Sequence, residues 1–110
     1  MAYDEGLAER VRDIAGARAG VTERRMFGGL AWMIGGNMAC CVLRDELLVR
    51  MAPADREQAL TEPHVGEFGM SGKRPMSGFV AVAAPGVAED ADLARWVDCG
   101  ADFAASLPPK

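Results

Sequence analysis

The chain is poor in histidine, cysteine and aromatic rings, and each shortage closes off some chemistry. Its single histidine, His64, directly follows Pro63 in a loop pattern. Metal centres built on clustered imidazoles and two-histidine acid–base pairs are therefore excluded. Three cysteines cannot all pair with one another, and an odd count in a chain without secretory features indicates free thiols. Cys40 and Cys41 are adjacent in a strand-like run, where neighbours face opposite ways. They therefore do not share a metal, and both read as small buried apolar residues. Cys99 sits in a helical pattern with no partner nearby. Nothing around the three thiols resembles a nucleophile motif that His64 could activate.

Long apolar runs are missing as well. None approaches the roughly 18 residues that a membrane span needs. Met1 to Gly6 is acidic and lacks the basic-then-apolar order of a signal peptide, so a cytoplasmic location is expected. There is no basic excess: 12 Lys and Arg against 16 Asp and Glu give a net charge of −4. That balance disfavours free-standing nucleic-acid binding, which draws its affinity from phosphate neutralisation. Glu89, Asp90, Asp92, Asp98 and Asp102 concentrate acidity near the end.

What remains describes one domain, residues 1–110, half of them hydrophobic and long enough for one core. Asp4 caps a first helix with Leu7, Val11, Ile14 and Ala15 at helical spacing, weakened by Gly16 and ended by Gly20. Strands are expected at about 24–28, 30–34, 38–43 and 46–51. Gly35-Gly36-Asn37 reads as a tight hairpin, and Arg44-Asp45-Glu46 as the next reversal. The last of these strands turns Leu47, Val49 and Met51 one way and leaves Arg50 outward. Pro53 opens a second, short helix that Pro63 ends. An extended segment near 67–70, a Gly/Pro-rich turn over 71–78 and a strand from Gly78 to Ala83 follow, closed by Pro85-Gly86. A last helix carries Leu93, Trp96, Val97, Gly100, Phe103, Ala104 and Leu107 as one apolar stripe. The class is α+β, with a mainly antiparallel sheet and flanking helices.

Two short segments stand out. Arg24-Arg25-Met26-Phe27-Gly28-Gly29 and Lys73-Arg74-Pro75-Met76 each join cations to Met beside glycine-bearing turns. The glycines separate strands, so they lack the strand-glycine-helix context of a phosphate loop or dinucleotide fingerprint. Most of the seven methionines cluster around the same strands and turns, where they suit core filling or an adaptable contact surface. No catalytic, cofactor or metal residues are identified, and no enzyme activity is expected. The interaction surface predicted from these residues is Arg24, Arg25, Met26, Phe27, Gly28 and Gly29 with Lys73, Arg74, Pro75 and Met76.

Arg25-Met26-Phe27-Gly28-Gly29, then Asn37-Met38-Ala39-Cys40, then Arg74-Pro75-Met76-Ser77-Gly78-Phe79-Val80 together resemble the N-terminal domain of the TfoX/Sxy competence regulators. The resemblance runs from the first helix to residues 94–97 and the closing Ser-Leu-Pro-Pro-Lys. It implies a secretion-chaperone-like α-β3-α-β2-α fold and a link to regulation of competence genes, and it brings no catalytic residues. The regulators carry a further helical domain after this one, which these 110 residues do not include. If DNA contact belongs to that domain, the present one is expected to bind protein, a second copy of the chain being one such partner. Two other readings stay open: a nucleic-acid-associated regulator whose cations converge locally, and a small-molecule site around Trp32, Cys40 and Met76.

Overall fold

The computed structural model describes residues 3–26, 28–68 and 78–110. Asp4 starts α1 (Glu5–Ala15): its Oδ1 accepts from the Leu7 amide at 3.0 Å, satisfying one of the orphan donors of the first turn. Leu7, Ala8, Val11 and Ala15 form its buried stripe.

A four-strand meander follows: β1 (Val21–Met26), β2 (Gly29–Ile34), β3 (Asn37–Leu43) and β4 (Glu46–Arg50). Gly35 and Gly36 turn the β2–β3 hairpin at φ 59° and 83°, values that ordinary side chains resist. The β3–β4 reversal manages without glycine by placing Arg44 at φ 54°. The resemblance implied three strands here, whereas the residue pattern indicated four.

Next come α2 (Pro53–Ala59), β5 (Val65–Glu67), β6 (Phe79–Val82), a 3₁₀ turn (Ala84–Val87) and α3 (Asp90–Ser106). Pro53 opens α2 as expected, but the helix stops at Ala59, short of Pro63. Turns over 60–64 intervene, with His64 at φ 68°. The expected extension of β5 to residue 70 and the turn 71–77 lie outside the described residues.

Among the described residues all five strand pairings are antiparallel, in the order β1-β2-β3-β4-β6-β5. Between Trp32 and Met33 the β2–β3 register shifts, which brings Ala39 round to face Ala101 and Ala104 of α3. Leu30, Trp32, Cys40, Val42, Leu47, Val49, Val80 and Val82 project to one side and pack against Leu7, Val11, Leu93, Trp96 and Val97. Ala31, Met33, Met38, Cys41, Leu43, Leu48 and Ala81 project to the other and cluster with Phe68, Met26 and Phe79. Central strands buried on both faces account for the continuous apolar runs of β2 and β3.

The sheet's alternation separates the adjacent cysteines into different clusters. Burial raises the Cys40 thiol to about 12 and the Cys41 thiol to about 11, so both stay protonated at neutral pH. Arg50 is not simply outward: its guanidinium lies 5.9 Å from the ring centres of both Phe79 and Phe103. At the far end of the molecule, buried Asn37 donates from Nδ2 to the Pro108 carbonyl at 3.0 Å, and the Lys110 amide donates to the Gly35 carbonyl at 2.7 Å. The end of the chain is thereby tied to the β2–β3 turn. Among the described residues no helix is long and apolar enough to cross a membrane.

Candidate functional site

Of the ten residues singled out from the sequence, Arg24, Arg25, Met26, Gly28 and Gly29 are described. Phe27, Lys73, Arg74, Pro75 and Met76 lie outside the described residues. The site that can be built therefore belongs to the first half of the predicted surface, at the end of β1, the turn after it and the start of β2.

β1 runs along one edge of the sheet. Its register against β2 pairs Val21 with Ile34, Glu23 with Trp32, Arg24 with Ala31, Arg25 with Leu30 and Met26 with Gly29. It begins three residues before the predicted start, at Val21 directly after Gly20 (φ 80°). A β-branched Val-Thr pair following a glycine turn is the signal that marks this start. Thr22, Glu23, Arg24 and Arg25 are all exposed, in sharp contrast to the buried β2 beside them.

Gly29 explains the glycine of the motif. A Cβ there would stand 2.4 Å from the Val42 carbonyl oxygen, so only glycine lets β2 start this close to β3. Gly28 turns the hairpin at φ 79°. Both glycines therefore serve the turn and the sheet, and the cations beside them are what reaches solvent.

Strand alternation sends Arg24 and Arg25 to opposite faces. Arg25 lies across from Leu30 on the helix side, and Arg24 across from Ala31 on the other. Among the described residues neither forms an ion pair. Sequence proximity suggested one basic patch; the pleat turns it into an edge with a cation on each side.

Glu23 is the residue that sequence reasoning missed. Arg12 of α1 grips its carboxylate with two hydrogen bonds, Nε to Oε1 and Nη2 to Oε2, the latter at 3.3 Å, and Trp32 Nε1 donates to Oε1 at 3.2 Å. The Arg12 hydrogen bond above all holds the carboxyl below its ordinary value of 4.5, against an opposing effect of burial. The same contact raises the Arg12 guanidinium. This cluster ties α1 to the edge strand and keeps β1 aligned with β2. Arg12, Glu23 and Trp32 come from three elements, so no local pattern links them.

Elsewhere, the described arginines are mostly matched within the fold. Arg18 reaches Asp98 at 3.3 Å and also Asp102, while Arg10 reaches Asp90 at 3.0 Å. Arg95 holds Glu62 at 3.0 Å and lies 4.3 Å from the Trp96 ring centre. The acidic run near the end thus largely faces arginines of α1 and its C-terminal turn. An open groove of about 400 Å³ between α1 and α3 is lined by Arg10, Asp13, Ile14, Asp90, Leu93 and Ala94, and its arginine is already bound to Asp90. Trp32 and Cys40, offered above as the centre of a small-molecule site, are 1% and 0% exposed and belong to the core.

The family model of the TfoX N-terminal domain matches residues 13–104. The chain belongs to this family. The matched span takes in all six described strands, with α2 between them, and reaches from the last turn of α1 nearly to the end of α3. No curated protein and no solved structure matches the chain significantly.

Proposed function

We propose that this TfoX N-terminal domain is a non-enzymatic regulatory module that acts by binding protein, in control of transcription of the competence-related kind its family suggests. The observation that carries the reading is the state of β1. A six-residue strand borders the sheet with four successive exposed residues and two arginines unpaired among the described residues. Edge strands present free N–H and C=O groups, and proteins recruit partners by adding a strand there. The opposite edge, β5, spans only three residues and offers a poorer template.

The nucleic-acid reading is less well supported, because Arg24 and Arg25 diverge across the pleat and the overall charge is negative. Affinity capture from native cells with wild-type and Arg24→Glu/Arg25→Glu baits tests the proposal. The wild type is expected to retain a protein partner that the doubly substituted bait loses, with unchanged far-UV circular dichroism. Identical partners for both baits would remove β1 from the site. A salt-dependent shift of duplex DNA by the wild type alone would favour the nucleic-acid reading.

A further inference from the structure

We propose that the β1 edge pairs with the β1 edge of a second copy of the chain, antiparallel and centred on Arg24, to make one continuous sheet across a two-fold axis. This rests on the protein-binding reading above and names its occupant.

The register follows from strand geometry and charge. In an antiparallel ladder alternate residues of β1 spend their N–H and C=O groups on β2, and the others present theirs outward. The same residues face outward in both copies. A two-fold axis can therefore pass only through a residue that meets its own equivalent, never between two neighbours. Three centres fall within the charged run Glu23–Arg25. Centring on Glu23 sets two carboxylates against each other and Arg25 against Val21. Centring on Arg25 sets two arginines together and puts Glu23 opposite position 27, beyond the described strand. Centring on Arg24 pairs Glu23 of each copy with Arg25 of the other and Thr22 with Met26.

Directly opposed residues lie on one face, so the Arg24-centred register makes two opposite-charge pairs on the helix side for one like-charge pair on the other. It is the only one of the three that gives Arg25 an acidic partner. Glu23 is held in place for this by Arg12 and Trp32, so little ordering is left to be done on association. Charged residues along an edge often guard against pairing. Here the order Glu-Arg-Arg is self-complementary when reversed, which a guard of one sign would not be. A symmetric pair of this kind closes on itself and does not propagate into fibres.

Sedimentation equilibrium of the full chain tests the register. Wild type is expected to form a dimer that salt weakens. Arg25→Glu alone sets a new carboxylate against Glu23 at both ends of the interface and should weaken dimerisation at least ~10-fold; Glu23→Arg alone should do the same by setting arginines together. Mixed in equal amounts, these two variants should form a heterodimer, because each supplies the charges the other lacks.

Because Glu23→Arg also removes the partner of Arg12 and could disturb folding, a cysteine scan in a Cys99→Ser background gives an independent readout. Arg24→Cys should form a disulfide-linked dimer under mild oxidation, since directly opposed Cα atoms lie about 4.5–5.5 Å apart, within disulfide reach. Thr22→Cys should not. Equal cross-linking at both positions, undiminished dimerisation of Arg25→Glu, or a mixture that stays monomeric would overturn the proposal. A wild type that is monomeric at all concentrations would overturn it too, while leaving the protein-binding reading to its own test, where the readout is a different protein lost from the bait.

Discussion

Glu23 shows how a single side chain decides what an edge strand can do. Its carboxylate is shared by Arg12 from α1 and by the Trp32 indole, so it fixes the strand and keeps a negative charge at the rim. Glu23→Gln retains an acceptor for Trp32 but loses the charge, and is expected to cost about 1 kcal/mol at neutral pH, discounted for the partly exposed site. The folded-state carboxyl titrates below its ordinary range. Its stabilisation is therefore complete above that range and is lost as pH falls through the folded value. Urea unfolding from pH 7 down to roughly pH 3 should accordingly show wild type and variant converging at the acid end. A difference that stays constant across that range would show that the charge of Glu23 does not stabilise the fold. Nothing in the local sequence points to this residue, because a glutamate one position before two arginines reads as ordinary surface charge. Its importance comes from partners 11 positions upstream and 9 downstream.

At the scale of the element, close approach between backbones sets the tightest constraints. Gly100 is where α3 meets β3: a Cβ there would lie 2.3 Å from the Ala39 carbonyl oxygen and 3.3 Å from Val49 Cγ1. Neither the strand backbone nor the helix can give way cheaply, so Gly100→Ala should destabilise by about 1–3 kcal/mol despite alanine's better helix propensity. Gly66→Ala, where a Cβ meets nothing within 4 Å, should be neutral or slightly stabilising. Thermal melts of the two variants check the contrast, and a Gly100→Ala protein as stable as Gly66→Ala would contradict the close approach. Gly100 already stood out in the sequence as part of the apolar stripe of the last helix, but the reason for a glycine there is the β-bulge that turns Ala39 toward α3. Bulges leave no mark in a hydrophobic pattern.

The same scale shows what the pattern conveys well. The capped first helix, the Gly-Gly hairpin, Pro53 at the start of α2 and the stripe of α3 each follow from local chemistry, and each is where the sequence places it. Misplacements occur at boundaries set by tertiary pairing. β1 starts early because Val21 has Ile34 to pair with, and α2 ends early because residues 60–64 turn to lead into β5. Of the paired Met-Gly segments, the first holds a turn at Gly28 as the sequence indicates, and residues 73–76 of the second lie outside the described residues. Arg24 and Arg25 are adjacent in sequence and divided by the pleat, and a one-dimensional reading cannot distinguish a patch from an edge until the register is known.

Taken whole, the molecule is an antiparallel six-strand sheet with its helices gathered on one face, in a chain that belongs to the TfoX N-terminal domain family. Most of its arginines hold the fold together through carboxylates or aromatic rings. Among the described residues, the arginines left without such a partner are those of β1. That distribution is why we propose the edge, rather than a cavity, as the place where this molecule meets another. Amide hydrogen exchange of the full chain across a wide concentration range tests this most directly. Protection at residues 21–26 is predicted to rise as the protein associates, with the β5 edge at 65–67 unchanged. Association accompanied by unchanged exchange at 21–26 and new protection elsewhere would contradict it.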